Sequence, residues 1–223
     1  MNVDRGFIGG RTAILSTHDG TRIRIRPIVP EDRDLLRQGY EELSEESRYR
    51  RFMGLKRLTD ADLDYLTQID YHDHFAWIAF SHDENPEHAI GVARYVRSKD
   101  NAEEAEAAVT VLDEYQNHGI GTLLLEALAA VAIENGIKRF IGYLLVENKP
   151  MHDVLRHLGA HISVDSPGVE RMEVDLPQRL GELKVSPLYR VLRAVARGEA
   201  PPPSVPIASG PPPAGTVSAS GSD

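Results

Sequence analysis

The residues best suited to chemistry lie in a short glycine-containing turn, residues 116–122, with the sequence Gln-Asn-His-Gly-Ile-Gly-Thr. Gly119 and Gly121 have no Cβ that would keep a phosphate away from the backbone. Apolar residues then recur at helical spacing, which predicts a helix that begins near Ile120. Because a helix N-terminus offers free N–H groups and the positive end of the helix dipole, this turn is suited to bind a diphosphate.

Two other phosphate-binding motifs do not match this turn. A P-loop would place Gly-Lys-Ser/Thr at its end, and no such triplet follows Gly121. A dinucleotide fingerprint requires the spacing G-x-G-x-x-G, which is missing here. An ordinary tight turn stays open as the alternative, because G-x-G before a helix is a weak motif when taken alone.

An alternating segment, residues 105–112, precedes the turn and predicts a β-strand that leads into it. One face carries small and apolar residues, namely Ala105, Ala107, Val109 and Val111. The other face carries Glu106, Ala108, Thr110 and Leu112. The strand therefore places a carboxylate and the diphosphate turn on one short piece of chain.

Hydrophobic periodicity along the rest of the chain predicts a sheet with helices packed against it. Strands are predicted at residues 13–15, 21–28, 75–80, 89–96, 105–112, 137–146, 161–164 and 169–176. Helices are predicted at residues 30–43, 44–52, 59–69, 120–135 and 150–158. The segment 137–146 is almost wholly apolar, so we expect it to be buried on both faces. The fold class is α/β (α+β), with one mixed, mostly antiparallel central sheet flanked by helices.

Composition divides the chain into four parts. Residues 1–11 are expected to be irregular, and residues 12–180 to form a single domain. Residues 181–198 contain an amphipathic helix with apolar residues on one side and arginines around the other. Residues 199–223 are Pro, Ala, Ser and Gly with almost no bulky apolar side chain, so this tail is expected to be disordered.

The overall composition excludes several functions. A formal net charge of −9 disfavours a nucleic-acid partner, since duplex binders of this size are usually basic. The 223 residues contain no cysteine, no signal-peptide pattern and no stretch long enough to span a membrane. We therefore expect a cytoplasmic protein whose oligomeric state the sequence does not indicate. His72 and His74 are spaced as an H-x-H pair, but no third ligand is evident, so we expect surface or loop histidines and no metal.

The turn and its flanking segments resemble the GNAT acetyltransferases over about residues 12–176. Gln116, Gly119 and Gly121 form the pattern Q-x-x-G-x-G, which is similar to the acyl-CoA-binding motif of that family. The segment from Val146-Glu147-Asn148 to Leu158-Gly159-Ala160 resembles the family's last conserved block. This resemblance implies a GNAT-type domain with acetyl-CoA as cosubstrate and no metal cofactor.

A narrower resemblance is to the bacterial Pat-like protein lysine acetyltransferases. It rests on residues 24–28 (RIRPI), 44–52 (SEESRYRRF) and 105–109 (AEAAV). It implies a protein lysine as the acceptor. Three alternatives stay open, which are a small amine, a protein N-terminus, and a non-catalytic acyl-CoA-binding module. Some Pat-like enzymes carry a fused cyclic-nucleotide-binding domain, and we expect none within these residues.

The GNAT resemblance implies roles for the residues of the strand, the turn and the following block. Val109, Thr110 and Val111 would bond the pantetheine amides, and a backbone N–H near Val111 would stabilise the oxyanion. Asn148 would face the pantetheine arm. The pyrophosphate would be held by Gln116, Asn117, His118, Gly119, Ile120, Gly121 and Thr122.

Glu106 is the predicted general base. An alkylammonium has a pKa of about 10.4, so a base must remove a proton before the amine attacks the thioester. Glu106 lies on the strand that leads to the turn, and the Pat resemblance matches it to the catalytic glutamate; Glu103 and Glu104 are expected to be ordinary surface charges. Many GNAT enzymes carry a tyrosine general acid after the Asn148 block, and none lies between Asn148 and Gly159 here. The remaining candidates for that acid are Tyr115, Tyr143 and His152.

Overall fold

One eight-stranded sheet organises the chain in a computed structural model that describes residues 5–54, 57–83, 88–177 and 196–198. The strands are β1 (Ala13–Ser16), β2 (Arg22–Pro27), β3 (His74–Ser81), β4 (Ala89–Arg97), β5 (Glu104–Val111), β6 (Arg139–Leu145), β7 (His161–Ser166) and β8 (Val169–Asp175). Their spatial order is β1-β2-β3-β4-β5-β6-β8-β7. The helices are α1 (Arg5–Gly10), α2 (Arg33–Glu42), α3 (Glu45–Phe52), α4 (Asp60–Thr67), α5 (Ile120–Glu134) and α6 (Lys149–His157). The predicted α/β fold with a mixed, mostly antiparallel sheet is confirmed.

The pairing of β5 with β6 is the exception in this sheet, because it is parallel whereas the other pairs are antiparallel. It extends over three residue pairs, from Glu104 opposite Arg139 to Glu106 opposite Ile141. By contrast, β5 pairs with β4 along seven residues, up to Val111. The two central strands therefore separate after Glu106. Beyond this residue, the edge of β5 opposite β4 is no longer paired with β6.

The main core lies between the sheet and α5. The helix is apolar on most sides, and it buries nine of its residues, which include Leu124 and Leu128. They pack against the aromatic side chains of Phe75, Trp77 and Tyr95, which are all fully buried. Each large apolar side chain buried in this way contributes about 1.5–3 kcal/mol relative to exposure, so α5 is held firmly beneath the cleft.

The opposite face of the sheet is covered by α2, α3 and α4. A smaller core joins Ile28, Ile69 and Ala76 there. The start of α2 is fixed by an ion pair, in which the Arg26 guanidinium donates to both oxygens of the buried Asp32 carboxylate at 2.6 and 2.7 Å. This layer positions the helix that forms one wall of the site.

The sequence predicts the elements from β1 to β8 within a few residues, and it is wrong at two places. Residues 1–11 were expected to be irregular, but α1 forms at Arg5–Gly10. Three of its six residues are glycine, so packing holds this helix rather than propensity: the Phe7 ring lies 4.9 Å from that of Tyr71. The strand at 137–146 was expected to be buried on both faces, but Tyr143 in β6 is 43% exposed. Tyr143 lines the cleft, so this position of the strand remains open to solvent.

Two predicted regions lie outside the described residues. They are the tail at 199–223 and the amphipathic helix at 181–198, apart from residues 196–198. Of these three, Ala196 is buried in the main core, and its carbonyl accepts a hydrogen bond from Arg11 at 3.1 Å. No helix among the described residues has the length and apolar character needed to cross a bilayer.

Candidate active site

A cleft of about 800 Å³ opens where β5 and β6 separate. Its walls come from the second half of β5, the turn at 116–122, α3, β6 and α6. This volume falls in the range of about 300–1,000 Å³ that is typical of small-molecule and cofactor sites. The cleft brings together ten of the twelve predicted site residues, namely Glu106, Val109, Thr110, Val111, Gln116, Asn117, Gly119, Gly121, Thr122 and Asn148.

The backbone of β5 offers hydrogen-bonding groups to this cleft. Leu112 donates its N–H to Ile90 on β4, at 2.9 Å. Because successive N–H groups of a strand point to opposite edges, the N–H groups of Val109 and Val111 point to the other edge, where β6 has diverged. The Val111 carbonyl points the same way, since it accepts a hydrogen bond from the Gln116 amide. An extended ligand such as a pantetheine arm can therefore pair with this edge.

The turn itself has the backbone geometry of an anion site. Asn117 and Gly119 adopt positive φ angles of 67° and 78°, and Gly119 is the N-cap of α5. The first N–H groups of the helix have no partner within the helix and point out of its N-terminus. A Cβ on Gly121 would find its nearest neighbour, Val111, at 3.9 Å, so the space beside the backbone is open. Diphosphate binding at this turn stays a prediction.

The side chains of Ile120 and His118 do not line the cleft. Ile120 is 1% exposed and belongs to the main core. His118 turns toward the β1–β2 connection, where its Nδ1 lies 2.7 Å from an Asp19 carboxylate oxygen. Hydrogen bonds from Thr17, from the Thr21 backbone and from His118 hold the pKa of Asp19 well below its usual range. These two residues can therefore reach the cofactor only through their backbone.

Gln116 ties the turn to its neighbours. Its side-chain Nε2 donates to the Val111 carbonyl at 3.1 Å and to the Ser47 hydroxyl at 3.3 Å. Ser47 in turn donates to Asp113 at 2.7 Å, and Asp113 also accepts from the hydroxyl and the backbone N–H of Ser44. Burial opposes ionisation of Asp113, but these hydrogen bonds outweigh it and lower its pKa. Gln116 thus sets the position of α3 against the turn, and its direct contact with a cofactor stays a prediction.

Glu106 differs from the two other acids of its cluster. Glu103 forms an ion pair with Lys138, and Glu104 lies 3.6 Å from Arg139, so both are surface charges as expected. Glu106 lines the cleft and is solvent-exposed. Its carboxylate attracts the nearby guanidinium of Arg51, whose pKa is lowered by burial and raised in part by Glu106.

Helix α3 contributes a wall that the sequence indicated only weakly. Ser47, Arg50 and Arg51 line the cleft together with Met53, and His18 reaches it from the β1–β2 connection. The sequence predicts a helix at residues 44–52, but its arginines alone do not indicate a site, since such basic runs usually mark a solvated face. No pattern in the sequence indicated His18.

The candidate replacements for a general acid are placed differently. Tyr115 and Tyr143 both line the cleft. His152 on α6 lies 3.1 Å from Glu170 and is not among the cleft residues. Asn148 caps α6, since its side-chain oxygen accepts from the Met151 N–H at 3.4 Å, and its contact with a pantetheine arm stays a prediction.

His72 and His74 do not act as a pair. His72 is exposed and its ring contacts Asp73, as expected for a loop histidine. His74 was also expected at the surface, but it is buried, and its Nε2 lies 3.0 Å from an Arg94 nitrogen. Burial and the Arg94 charge lower the pKa of His74 to about 4. Among the described residues, no group of three or more His, Cys, Asp or Glu side chains is placed to hold a metal ion.

A sheet that splits at a parallel pair, with a glycine turn and a helix N-terminus at the split, can receive an extended ligand that ends in a diphosphate. The chain belongs to the family described as "Acetyltransferase (GNAT) domain", whose model matches residues 22–161. The domain is therefore an acyltransferase that uses acetyl-CoA, as the sequence predicts.

Two curated relatives and one solved structure support this assignment. Acetyltransferase Pat of Mycolicibacterium smegmatis is 40% identical over 153 residues, which are 69% of this chain and 45% of that protein. Acetyltransferase PA5475 of Pseudomonas aeruginosa is 34% identical over 145 residues, which are 65% of this chain and 77% of that protein. The GNAT domain of S. lividans PAT superposes with a TM-score of 0.69 at 33% identity, and the match covers 78% of this chain and all of that domain. The chain thus spans less than half the length of the first relative, and its GNAT domain is Pat-like.

Proposed function

We propose that this domain transfers the acetyl group of acetyl-CoA to the side-chain amine of a protein lysine, with Glu106 as the general base. The observation that carries the proposal is the position of Glu106. It is the member of the 103–106 acidic cluster that lines the cleft, while its neighbours pair with Lys138 and Arg139 at the surface. The protein acceptor follows from the resemblance of residues 24–28, 44–52 and 105–109 to the Pat-like lysine acetyltransferases, and the relatives named Pat agree with that resemblance. The cytoplasmic location expected from the sequence stays a prediction.

The proposed reaction is a direct attack. The lysine ammonium loses a proton to Glu106, and the resulting neutral amine attacks the thioester carbonyl, whose oxygen becomes negatively charged. The attached nitrogen then releases its extra proton to solvent. We assign the stabilisation of that oxyanion to a backbone N–H on the free edge of β5, near Val111. The carbon–sulfur bond then breaks and releases the CoA thiolate. A thiol has a pKa of about 8.5, so this thiolate is an adequate leaving group without a general acid.

Arg51 lies near the proposed base: burial lowers the pKa of the Arg51 guanidinium, and the charge of Glu106 partly offsets that effect. The lysine amine has a pKa of about 10.4, so the proposal expects transfer to improve as pH rises and a larger fraction of the amine is neutral.

The test is thiol release from acetyl-CoA with lysine-bearing protein as acceptor, for wild type and Glu106→Gln. Removal of a general base is expected to slow turnover about 100-fold or more, while the Kd for acetyl-CoA stays within a factor of two or so. Glu103→Gln is the matched control, because it changes an acid of the same cluster that lies outside the cleft, and it should leave turnover unchanged. If Glu106→Gln turns over like wild type, the assignment of Glu106 fails.

The acceptor class is tested in the same assay. Free amines replace the protein acceptor, and the lysine proposal expects turnover with folded protein to exceed that with free amines at equal amine concentration. Turnover with free amines alone would favour a small-molecule acetyltransferase. Tight acetyl-CoA binding without turnover on any amine would favour a binding module.

A further inference from the structure

A second cavity, of about 90 Å³, lies between α2 and the sheet, on the face opposite α5. Most of its lining is aliphatic, as in Leu35, Leu36, Leu43, Leu66 and Ile78. An apolar cavity of this kind tends to stay dry and to accept an apolar group. The family assignment gives it no role.

The cavity adjoins the cofactor cleft. Four residues line both spaces, namely Arg51, Phe52, Ala108 and Thr110. Ala108 and Thr110 share a face of β5 with Glu106, and they pair across the sheet with Arg94 and Val92. The cavity therefore begins beside the stretch of β5 along which the pantetheine arm and its thioester are proposed to lie.

A glycine keeps this cavity open. The inner face of α2 presents Leu35, Leu36, Gly39 and Leu43 to it. A Cβ built at Gly39 would meet no atom within 4 Å, so a side chain would fit without a clash. Glycine inside a helix is less stable than alanine. The chain thus carries an unfavourable residue at the position where a larger one would both favour the helix and fill the space.

The charges at the cavity argue against an amine as its occupant. Arg51 and Arg94 both line it, and Arg94 is 7% exposed. The Arg94 guanidinium donates to the Leu66 carbonyl at 3.3 Å and contacts the neutral ring of His74, with no carboxylate among these partners. Deeper in the cavity, the Arg94 guanidinium repels the ammonium of an incoming lysine. The aliphatic walls instead suit an uncharged hydrocarbon chain.

We propose that this cavity binds the hydrocarbon part of an acyl-CoA whose acyl group is longer than acetyl, such as butyryl-CoA. The inference rests on the proposed function, since it takes the thioester to lie along β5. It adds that the enzyme accepts short aliphatic acyl groups as well as acetyl.

The test is the Kd of acetyl-CoA, butyryl-CoA and succinyl-CoA by titration calorimetry, without an acceptor. Each buried methylene strengthens binding about fourfold, and butyryl has two methylenes more than acetyl, so butyryl-CoA is expected to bind wild type about 15-fold more tightly than acetyl-CoA. Gly39→Leu fills the cavity, and the ratio of the two Kd values should fall to near one. Gly39→Ala is the second, conservative variant, for which the ratio should be intermediate.

Three results would overturn the inference. They are equal binding of acetyl-CoA and butyryl-CoA by wild type, a ratio that both Gly39 variants leave unchanged, and tighter binding of succinyl-CoA than of butyryl-CoA. The last would mean that Arg51 and Arg94 select a terminal carboxylate. Because the assay needs no acceptor, an enzyme that fails to acetylate lysine still gives an answer here. Equal Kd values together with rapid lysine acetylation would reject the inference and keep the proposed function.

Discussion

The two glycines of the cofactor turn should respond to alanine in opposite ways. Gly119 has a φ of 78°, and a Cβ there would lie 3.0 Å from His18 Nδ1. Forcing alanine into the left-handed region costs about 1–2 kcal/mol, and the histidine must also move. Gly121 has no positive φ, and its Cβ would make an ordinary contact of 3.9 Å with Val111. Alanine there should stabilise the fold by about 0.5 kcal/mol, because it restricts the unfolded chain.

Cofactor affinity should separate the roles of the two positions. The methyl group of Gly121→Ala would occupy the open space beside the helix N-terminus where the diphosphate is expected. We therefore expect the Kd for acetyl-CoA to rise about tenfold or more, which corresponds to about 1.4 kcal/mol. Gly119→Ala should lower the free energy of unfolding, measured by urea denaturation, in the absence of any ligand.

A truncated ligand provides the control for this pair. Acetyl-pantetheine has the thioester and both amides but no diphosphate, so Gly121→Ala should bind it as wild type does. The reasoning is refuted if Gly121→Ala binds acetyl-CoA with wild-type affinity, or if it loses acetyl-pantetheine to the same extent as acetyl-CoA. The second outcome would mean that the methyl group disturbs the whole cleft.

Two further predictions concern the supports of the site. Asp113→Asn removes the charge that accepts hydrogen bonds from Ser44 and Ser47. We expect about 1–2 kcal/mol less stability, measured by urea denaturation, and weaker acetyl-CoA binding, measured by calorimetry. Unchanged values in both assays would exclude this network as a support of α3. His74 has a pKa of about 4 when folded and about 6.5 when unfolded, so only the unfolded chain takes up its proton between these values. Stability should therefore fall by about 2 kcal/mol as pH drops from 6.5 to 4, and His74→Gln should flatten that part of the curve; an equal slope in the variant would contradict a buried neutral ring beside Arg94.

Local sequence patterns were sufficient where an element is amphipathic or begins with a clear cap. The alternation in 105–112 gave both faces of β5, and the spacing after Gly119 gave the start of α5. The residues of the turn could be assigned to a cofactor site because glycines, strand and helix follow each other directly in the chain. This part of the site could be predicted because its residues are close together in the sequence.

The features that sequence missed depend on contacts between distant segments. Helix α1 exists because Phe7 packs on Tyr71, which is 64 positions away and which no local pattern links to it. The apolar run in β6 predicted burial on both faces, but one face borders the cleft, which the sequence of the strand alone does not indicate. The hydrogen bond from the Gln116 amide to Ser47, 69 positions away, was not predicted, while the contact of Gln116 with the pyrophosphate stays a prediction. Burial of His74 likewise depends on Arg94 of the neighbouring strand.

The short parallel contact between β5 and β6 has a mechanical consequence. The sheet consists of two leaves, β1 to β5 and β6 to β8, joined by a seam of three residue pairs. A ligand that pairs with the free edge of β5 and also touches α6 adds contacts between the two leaves beyond these three residue pairs. We therefore expect acetyl-CoA binding to reduce the movement of one leaf relative to the other. Amide exchange at Val109 and Val111 would slow on binding, and the leaves would unfold together in the complex more readily than in the free protein.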